Sequence, residues 1–292
     1  MTIQDLFNET FISIRANRTR TGLTILGIVI GIASVIVMLA IGNGAQSSIS
    51  SSISSLGSNI VTITGGGGNR QGGGGANIGR SNQQTLTLDD AKAIQEKISL
   101  VQYVSPELNS RSQVIAEGNN TNTSIVGVVP EYELAHTVIV DDGTFITEAQ
   151  YRSGAKVAVL GPTTRDDLFG VGVDVDVVGK EIRIGATRFI VIGVTKSKGG
   201  SGFGNADDRI FIPLTTSLRY IAGGDYVSSI AISTEKQSDM ADMQTEVSEL
   251  LLLRHNKKTM TEADFSIFNQ ADLANTAQSI TKIFTILLSS VA

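Results

Sequence analysis

The sequence predicts an α+β protein carried on a membrane helix, and three observations predict it. An uncharged apolar run, Gly22 to Gly42, is long enough to cross a bilayer. After it, short runs rich in Val, Ile and Thr alternate with Gly, Asn and Asp. Two stretches among those runs carry helical spacing instead, TLDDAKAIQEKI and the segment from Ser238 to about His255.

The 292 residues suffice for a membrane segment and one or two modest domains. A net charge of −5, with no dense Lys/Arg patch, argues against a nucleic-acid partner, which needs a concentrated positive field. Cysteine is absent, which removes disulfides, thiolate ligands and cysteine nucleophiles together. The two histidines, His136 and His255, are far apart, so a multi-histidine metal site within the chain is excluded. His136 stands in an apolar stretch with no evident partner. No GxSxG elbow and no Ser/His/Asp grouping appears. The sequence therefore assigns no catalytic, cofactor-binding or metal-ligating residue. It reads as a non-enzyme.

Taken in order, the first element is an amphipathic helix. Ile3, Leu6, Phe7, Phe11 and Ile14 recur at helical spacing, and Phe7, Phe11, Arg15, Arg18 and Arg20 are the expected anchors on the cytoplasmic membrane face. Three arginines before the apolar run and no charge just after it place the N-terminus in the cytoplasm and the rest of the chain outside. A cleaved signal peptide is the rival, with Ala40-Ile41-Gly42 as a loose cleavage site. The apolar run exceeds the ~7–15 residues of such signals. Within the span, Gly27, Gly31 and Ser34 form a small-residue face suited to close helix packing. Ala45, Ile49, Ile53 and Leu56 continue an apolar stripe beyond it, with serines between, and predict a stalk ended by Gly57. The competing reading is a Ser-rich flexible linker.

Residues Asn59 to Thr64 alternate as a strand. GGGGNRQGGGGANIGR follows, Gly65 to Arg80. It lacks the Gly-Lys-Ser/Thr ending of a phosphate-binding loop and reads as a mobile connection. Thr87 and Asp90 have capping-box spacing at the head of the next helix, which turns Leu88, Ala91, Ile94 and Ile98 to one face. Strands are expected at Val101–Val104, Ser112–Glu117 and Thr123–Val129, with a hairpin turn at Gly118–Asn120. A second block opens near Pro130. Its strands are Lys156–Leu160, a pair around Gly185-Ala186 within Glu181–Val194, Arg209–Ile212 and Val227–Ser233. Asp207-Asp208, and likewise Asp174 and Asp176, read as solvated turns rather than cation ligands. In the late helix Met240, Met243, Val247, Leu250, Leu251 and Arg254 share a side, and His255, beside Lys257 and Lys258, complements the helix dipole. Asn269 is placed to cap a final helix with Asp272 at its third position. That helix ends in IFTILLSSVA, too short to span alone, so it reads as the opening of a second membrane helix in a longer chain.

The ordered set NRTRTGLTILGIVIGIASVI, LGSNIVTI, LTLDDAKAI, VGKEIRI with FIVIGV, DDRIFIPLTT, DYVSSI, and NQADL leading into FTILLSSVA resembles MacB-type permease subunits of ABC transporters, in the wider MacB/FtsX-like family. The likeness covers nearly the whole chain. It implies a cytoplasmic-face helix over 1–20, a first membrane helix with stalk over 21–57, and a porter-like βαβ part formed by 58–129 and 235–269. It further implies an inserted β-rich part over 130–234, and a stalk with the start of a second membrane helix over 270–292. The family implies a homodimeric permease in the bacterial inner membrane, driven by a cytoplasmic ABC ATPase. Since Met1 directly precedes the surface helix, that ATPase is expected on a separate chain. A periplasmic adaptor is a further implied partner, and efflux of peptides, drugs or lipophilic compounds the implied task. The alternative is a pilin-like structural or sensory protein with one anchor. Such chains usually carry a Glu soon after the apolar run begins, and none is present.

Overall fold

The computed structural model describes residues 18–55, 60–66, 84–170, 176–198, 207–269, 279 and 283. It divides into two compact units, residues Met1–Ser50 with Ala274–Ala292, and residues Ser51–Leu273.

In the first unit the described element is helix α1, Arg18–Ser55, which continues through the unit boundary without a break. Its stretch Arg18–Gly42 is long and apolar enough to cross a membrane, and its side chains are exposed almost throughout. A helix apolar on every side satisfies its backbone internally and leaves its side chains to lipid or to other helices. The surface-helix residues Phe7, Phe11 and Arg15 lie outside the described residues, as do Leu56, Asp174, Asp272 and most of the glycine-rich stretch.

The second unit is built on a mixed sheet of ten strands. They are β1 (Ile60–Gly65), β2 (Tyr103–Ala116), β3 (Asn119–Val128), β4 (Val140–Gly143), β5 (Val157–Leu160), β6 (Glu181–Ile184), β7 (Thr187–Thr195), β8 (Arg209–Pro213), β9 (Ser229–Ser233) and β10 (Phe265–Asn269). Their spatial order is β10-β1-β9-β2-β3-β8-β5-β7-β4, and β6 joins β2 to β7 off this path. Only β3 with β8 and β5 with β7 run parallel; the other pairings are antiparallel.

Strand β2 is the common member of two regions. Its residues Tyr103–Glu107 pair with β9, and Leu108–Ala116 pair with β3. The sequence suggests two separate short runs here. The ladder nevertheless runs on through Pro106, which cannot donate and faces Ile230 within an otherwise regular register. The β2–β3 hairpin turns at Glu117-Gly118, with φ of 48° and 89°, rather than at Gly118–Asn120. Ala116 faces Asn119, so the turn has two residues, and positive φ at both belongs to the type I′ geometry that matches strand twist.

Over β10, β1, β9 and the start of β2 lie helices α2 (Leu88–Lys97) and, after four shorter helices in the chain, α7 (Met240–Arg254). Val61, Ile63, Ile94, Ile230, Ile232, Met243, Val247, Leu251 and Phe265 fill the core between them. The Met pair is core, as the helix spacing predicts. Strand β9 lies inside the span 130–234 read as one inserted block, yet it pairs between β1 and β2. Chain order separates it from those partners; only the long-range ladder joins them. Strands β5 and β8, with Ile125–Val128 of β3 and Gly193–Thr195 of β7, are buried on both faces. Ile125, Leu160, Leu168, Phe189 and Ile210 pack on one side, and Val126, Tyr132, Phe145, Val159 and Phe211 on the other. Two-sided burial explains why RIFIP and VAVL read as continuous apolar runs. The remaining helices are α3 (Tyr132–Ala135), α4 (Glu148–Ser153), α5 (Pro162–Phe169) and α6 (Leu214–Ser217), the last running on into a π turn, Leu218–Ala222. Their shortness hides them from a periodicity test.

At the β4 edge, Gly143 and Gly193 face each other in register. A Cβ on Gly193 would stand 2.5 Å from the Thr144 carbonyl oxygen and 2.9 Å from that of Asp142. Backbone cannot yield as a flexible side chain does, so Gly193→Val is expected to push β4 off β7 and cost about 1–3 kcal/mol. A lowered urea midpoint checks this, and an unchanged one would show that the edge relaxes freely.

Candidate functional site

Helix α2 starts where the sequence places its cap. The Thr87 amide donates to Asp90 Oδ2 at 3.0 Å, and the Asp90 amide donates to Thr87 Oγ1 at 3.3 Å. Asp90 has a second set of partners from the far end of the chain. Arg254 Nε donates to its Oδ1 at 2.6 Å, and His255 Nε2 lies 3.4 Å from its Oδ2. His255 closes helix α7, and its other ring nitrogen, Nδ1, lies 2.7 Å from Asp264 Oδ1. The Asp264 carbonyl then accepts from the Gly66 amide at 2.9 Å and from Thr85 Oγ1 at 2.8 Å. One peptide oxygen thus holds the chain both where it leaves β1 and where it returns toward α2.

Asp90 is 3 % exposed. Burial works against its charge, but the bonds from Arg254 and Thr87 and the charge of His255 outweigh that, and its carboxyl is held below the usual range. The Asp90 carboxylate therefore fastens the head of α2 to the end of α7 through an ionised group that accepts from Thr87 and Arg254. The predicted role of His255, a cation at a helix end, is too small: its ring stands between two carboxylates.

A second polar cluster lies on β2. Glu107 Oε1 is 2.7 Å from His136 Nε2, and Ser229 Oγ of β9 donates to Glu107 Oε2 at 3.4 Å. The His136 ring stacks on Tyr132, with centroids 4.2 Å apart, and its carbonyl accepts from Lys198 Nζ at 2.6 Å. The expectation that His136 lacks a partner is therefore corrected; its partner is a carboxylate 29 residues away, beyond the reach of local spacing. Burial pushes the Tyr132 phenol up and the Lys198 ammonium down. Asp207 is also corrected. It is buried, not a solvated turn residue, and its carboxylate accepts from Ser197 Oγ at 2.5 Å and from the Lys198 amide at 2.9 Å. Asp176 is exposed, as expected.

Of the residues singled out on α1, Arg18 and Arg20 are exposed, and a Cβ at Gly27 or Gly31 would meet nothing within 4 Å. Ser34 Oγ donates to the Gly31 carbonyl at 2.8 Å. Ala45, Ile49 and Ile53 fall on the same helix. Asn269, expected to cap a following helix, is the last residue of β10 and pairs with Val61. Among the described residues, no group of three or more His, Asp or Glu side chains is placed to hold a metal ion.

The MacB-like periplasmic core domain matches residues 21–250, which takes in α1 from Thr21 onward, strands β1 to β9 and most of α7. The chain belongs to that family. It is 35 % identical over 291 residues to the macrolide export ATP-binding/permease protein MacB of Bdellovibrio bacteriovorus, covering 98 % of this chain and 43 % of that protein. The same-named protein of Wolinella succinogenes is 37 % identical, covering 97 % of this chain and 42 % of its own length. The chain thus spans less than half the length of these relatives. In fold it resembles the periplasmic region of MacB from Actinobacillus actinomycetemcomitans, with a TM-score of 0.63 and 23 % identity over 77 % of this chain and 95 % of that one. The extracellular domain of the noncanonic ABC-type transporter YknZ from Gram-positive bacteria matches with a TM-score of 0.57 and 18 % identity, over 72 % of this chain and all of that one. The Asp90 cluster lies at the end of β1 where Gly66 leaves the sheet.

Proposed function

We propose that this chain is part of the permease subunit of an ABC exporter, and that it couples ATP hydrolysis in the cytoplasm to movement of an extracytoplasmic domain. The observation that carries this reading is the route of the chain. Helix α1 runs unbroken from Arg18 to Ser55, four residues short of β1. Strand β10, the last element of the sheet, pairs with β1 along its length. Displacement of α1 therefore reaches the sheet through a short lead and is shared with the strand that leads out.

In this reading Arg15, Arg18 and Arg20 hold the N-terminal side at the cytoplasmic face, with Phe7 and Phe11 in the lipid interface. Gly27, Gly31 and Ser34 supply a face for close packing against a second membrane helix or a second copy of the subunit. Ala45, Ile49, Ile53 and Leu56 form the stalk. Residues 58–129 and 235–269 form the porter-like part, joined by β9, with the inserted part between. The task is efflux of peptides, drugs or lipophilic compounds, with a periplasmic adaptor as a further partner. The family membership and the names of the MacB relatives support this.

Purification of the full-length protein from its native membranes in mild detergent tests it. The preparation is expected to carry ATP hydrolysis that copurifies through size exclusion and responds to reconstitution in lipid. Repeated recovery of intact protein with no ATP hydrolysis would overturn the proposal.

A further inference from the structure

The His255 ring is 9 % exposed and has a carboxylate oxygen at each nitrogen, Asp264 Oδ1 at 2.7 Å and Asp90 Oδ2 at 3.4 Å. A neutral imidazole has one N–H to give, while an ionised carboxylate only accepts. With one ring proton, His255 can therefore bond to one of these partners and turns a lone pair toward the other. With two, it bonds to both. The spacing matches that asymmetry, since the Asp264 arm is the short one. We propose that His255 is a proton-operated clasp, in which protonation of the ring closes the second arm onto Asp90 and fastens the lead into β10 to the head of helix α2.

The groups around the ring support a switch of this kind. From α2 comes Asp90, already bonded to Arg254 and Thr87; from the lead into β10 comes Asp264. Arg254 is the neighbouring cation on the ring's own helix, directed at Asp90 Oδ1 and away from the oxygen the ring approaches. Phe265, the first residue of β10, meets the ring edge-on with centroids 5.8 Å apart, so motion of β10 and of the ring are coupled by packing as well. Because the Asp90 carboxyl is held below its ordinary value, it remains a charged acceptor across the range tested. The sign follows. The second arm is present when the ring carries two protons, the state acid favours, and is lost when it carries one.

Hydrogen exchange of the β10 amides in the full chain, held in lipid nanodiscs and expressed as protection factors between pH 5 and 8, tests this. The wild type is expected to show about three- to tenfold more protection of Phe265–Asn269 in acid, following the titration of the ring. With two histidines in the chain, ring ¹⁵N signals assign directly once His136→Gln removes one of them. His136→Gln should leave the β10 step intact. His255→Gln should flatten it, and if that variant does not fold, Asp90→Ala, which leaves the ring no side-chain acceptor at this position, should flatten it as well. Equal β10 protection across the range in the wild type, or a step that survives in His255→Gln or Asp90→Ala, would overturn the clasp.

Discussion

Asp90→Ala is expected to lower the unfolding free energy of the strand-rich unit by about 3 kcal/mol. Two losses add. The first is the acceptor that Asp90 offers the Thr87 amide and hydroxyl at the head of α2, whose loss costs about 1 kcal/mol. The second is the partner of Arg254 and His255; the Arg254 side chain is 31 % exposed and recovers hydration in part, whereas the His255 ring does not. Asp90→Asn keeps an acceptor for Thr87 and should cost less, about 1–2 kcal/mol. The pH dependence separates this from a generic loss. The folded-state value of Asp90 is depressed, so its contribution is complete above the ordinary carboxylate value of 3.8 and fades as pH falls through the lower folded one. Urea midpoints of wild type and Asp90→Ala should therefore converge in strong acid. Curves that stay parallel down to pH 2 would mean that the carboxylate charge contributes nothing.

Phe265→Ala is expected to cost about 3–5 kcal/mol, the range for removing a fully buried aromatic ring. Phe265 is 1 % exposed and belongs to the core between the β10-β1-β9-β2 region and its two helices. Three residues on, on the same strand, Phe268 is 48 % exposed, and Phe268→Ala should fall within about 0.5 kcal/mol of wild type. The pair controls for strand propensity, since both replace Phe by Ala in β10. Chemical denaturation followed by tyrosine fluorescence or circular dichroism gives both values. Similar costs for the two would show that the strand is held by its ladder rather than by the core.

Elements with a strong local pattern were legible in the sequence. The apolar length of α1, the capping box at Thr87 and Asp90, the β6–β7 pair around Gly185-Ala186 and the buried stripe Met240, Met243, Val247 and Leu251 all come from spacing within a dozen residues or so. Missed features depend on distance along the chain. Nothing near Ser229–Ser233 says that it pairs with β1 rather than with its sequence neighbours. Nothing near Asp90 says that Arg254 and His255 will reach it, because the partners are 164 and 165 residues away. His136 shows the same limit: an apolar neighbourhood hides a carboxylate contributed by another strand. Strand β10 escaped because FSIFN is a five-residue run with little local signal, while its register is written in β1.

The ladder between β1 and β10 also decides how the domain bears load. Val61 faces Asn269 and Gly65 faces Phe265, so the residue by which the chain arrives and the residue by which it departs are rungs at one end of the same five-rung ladder. Tension that draws these two ends apart opens the rungs one after another, starting at Val61, and meets little resistance. Tension that draws both ends the same way moves β1 and β10 together, leaves the bonds between them unloaded, and loads the β1–β9 bonds in shear, where it meets a great deal. A domain tethered like this is a stiff follower of motions its two tethers share, and a weak one for motions they do not.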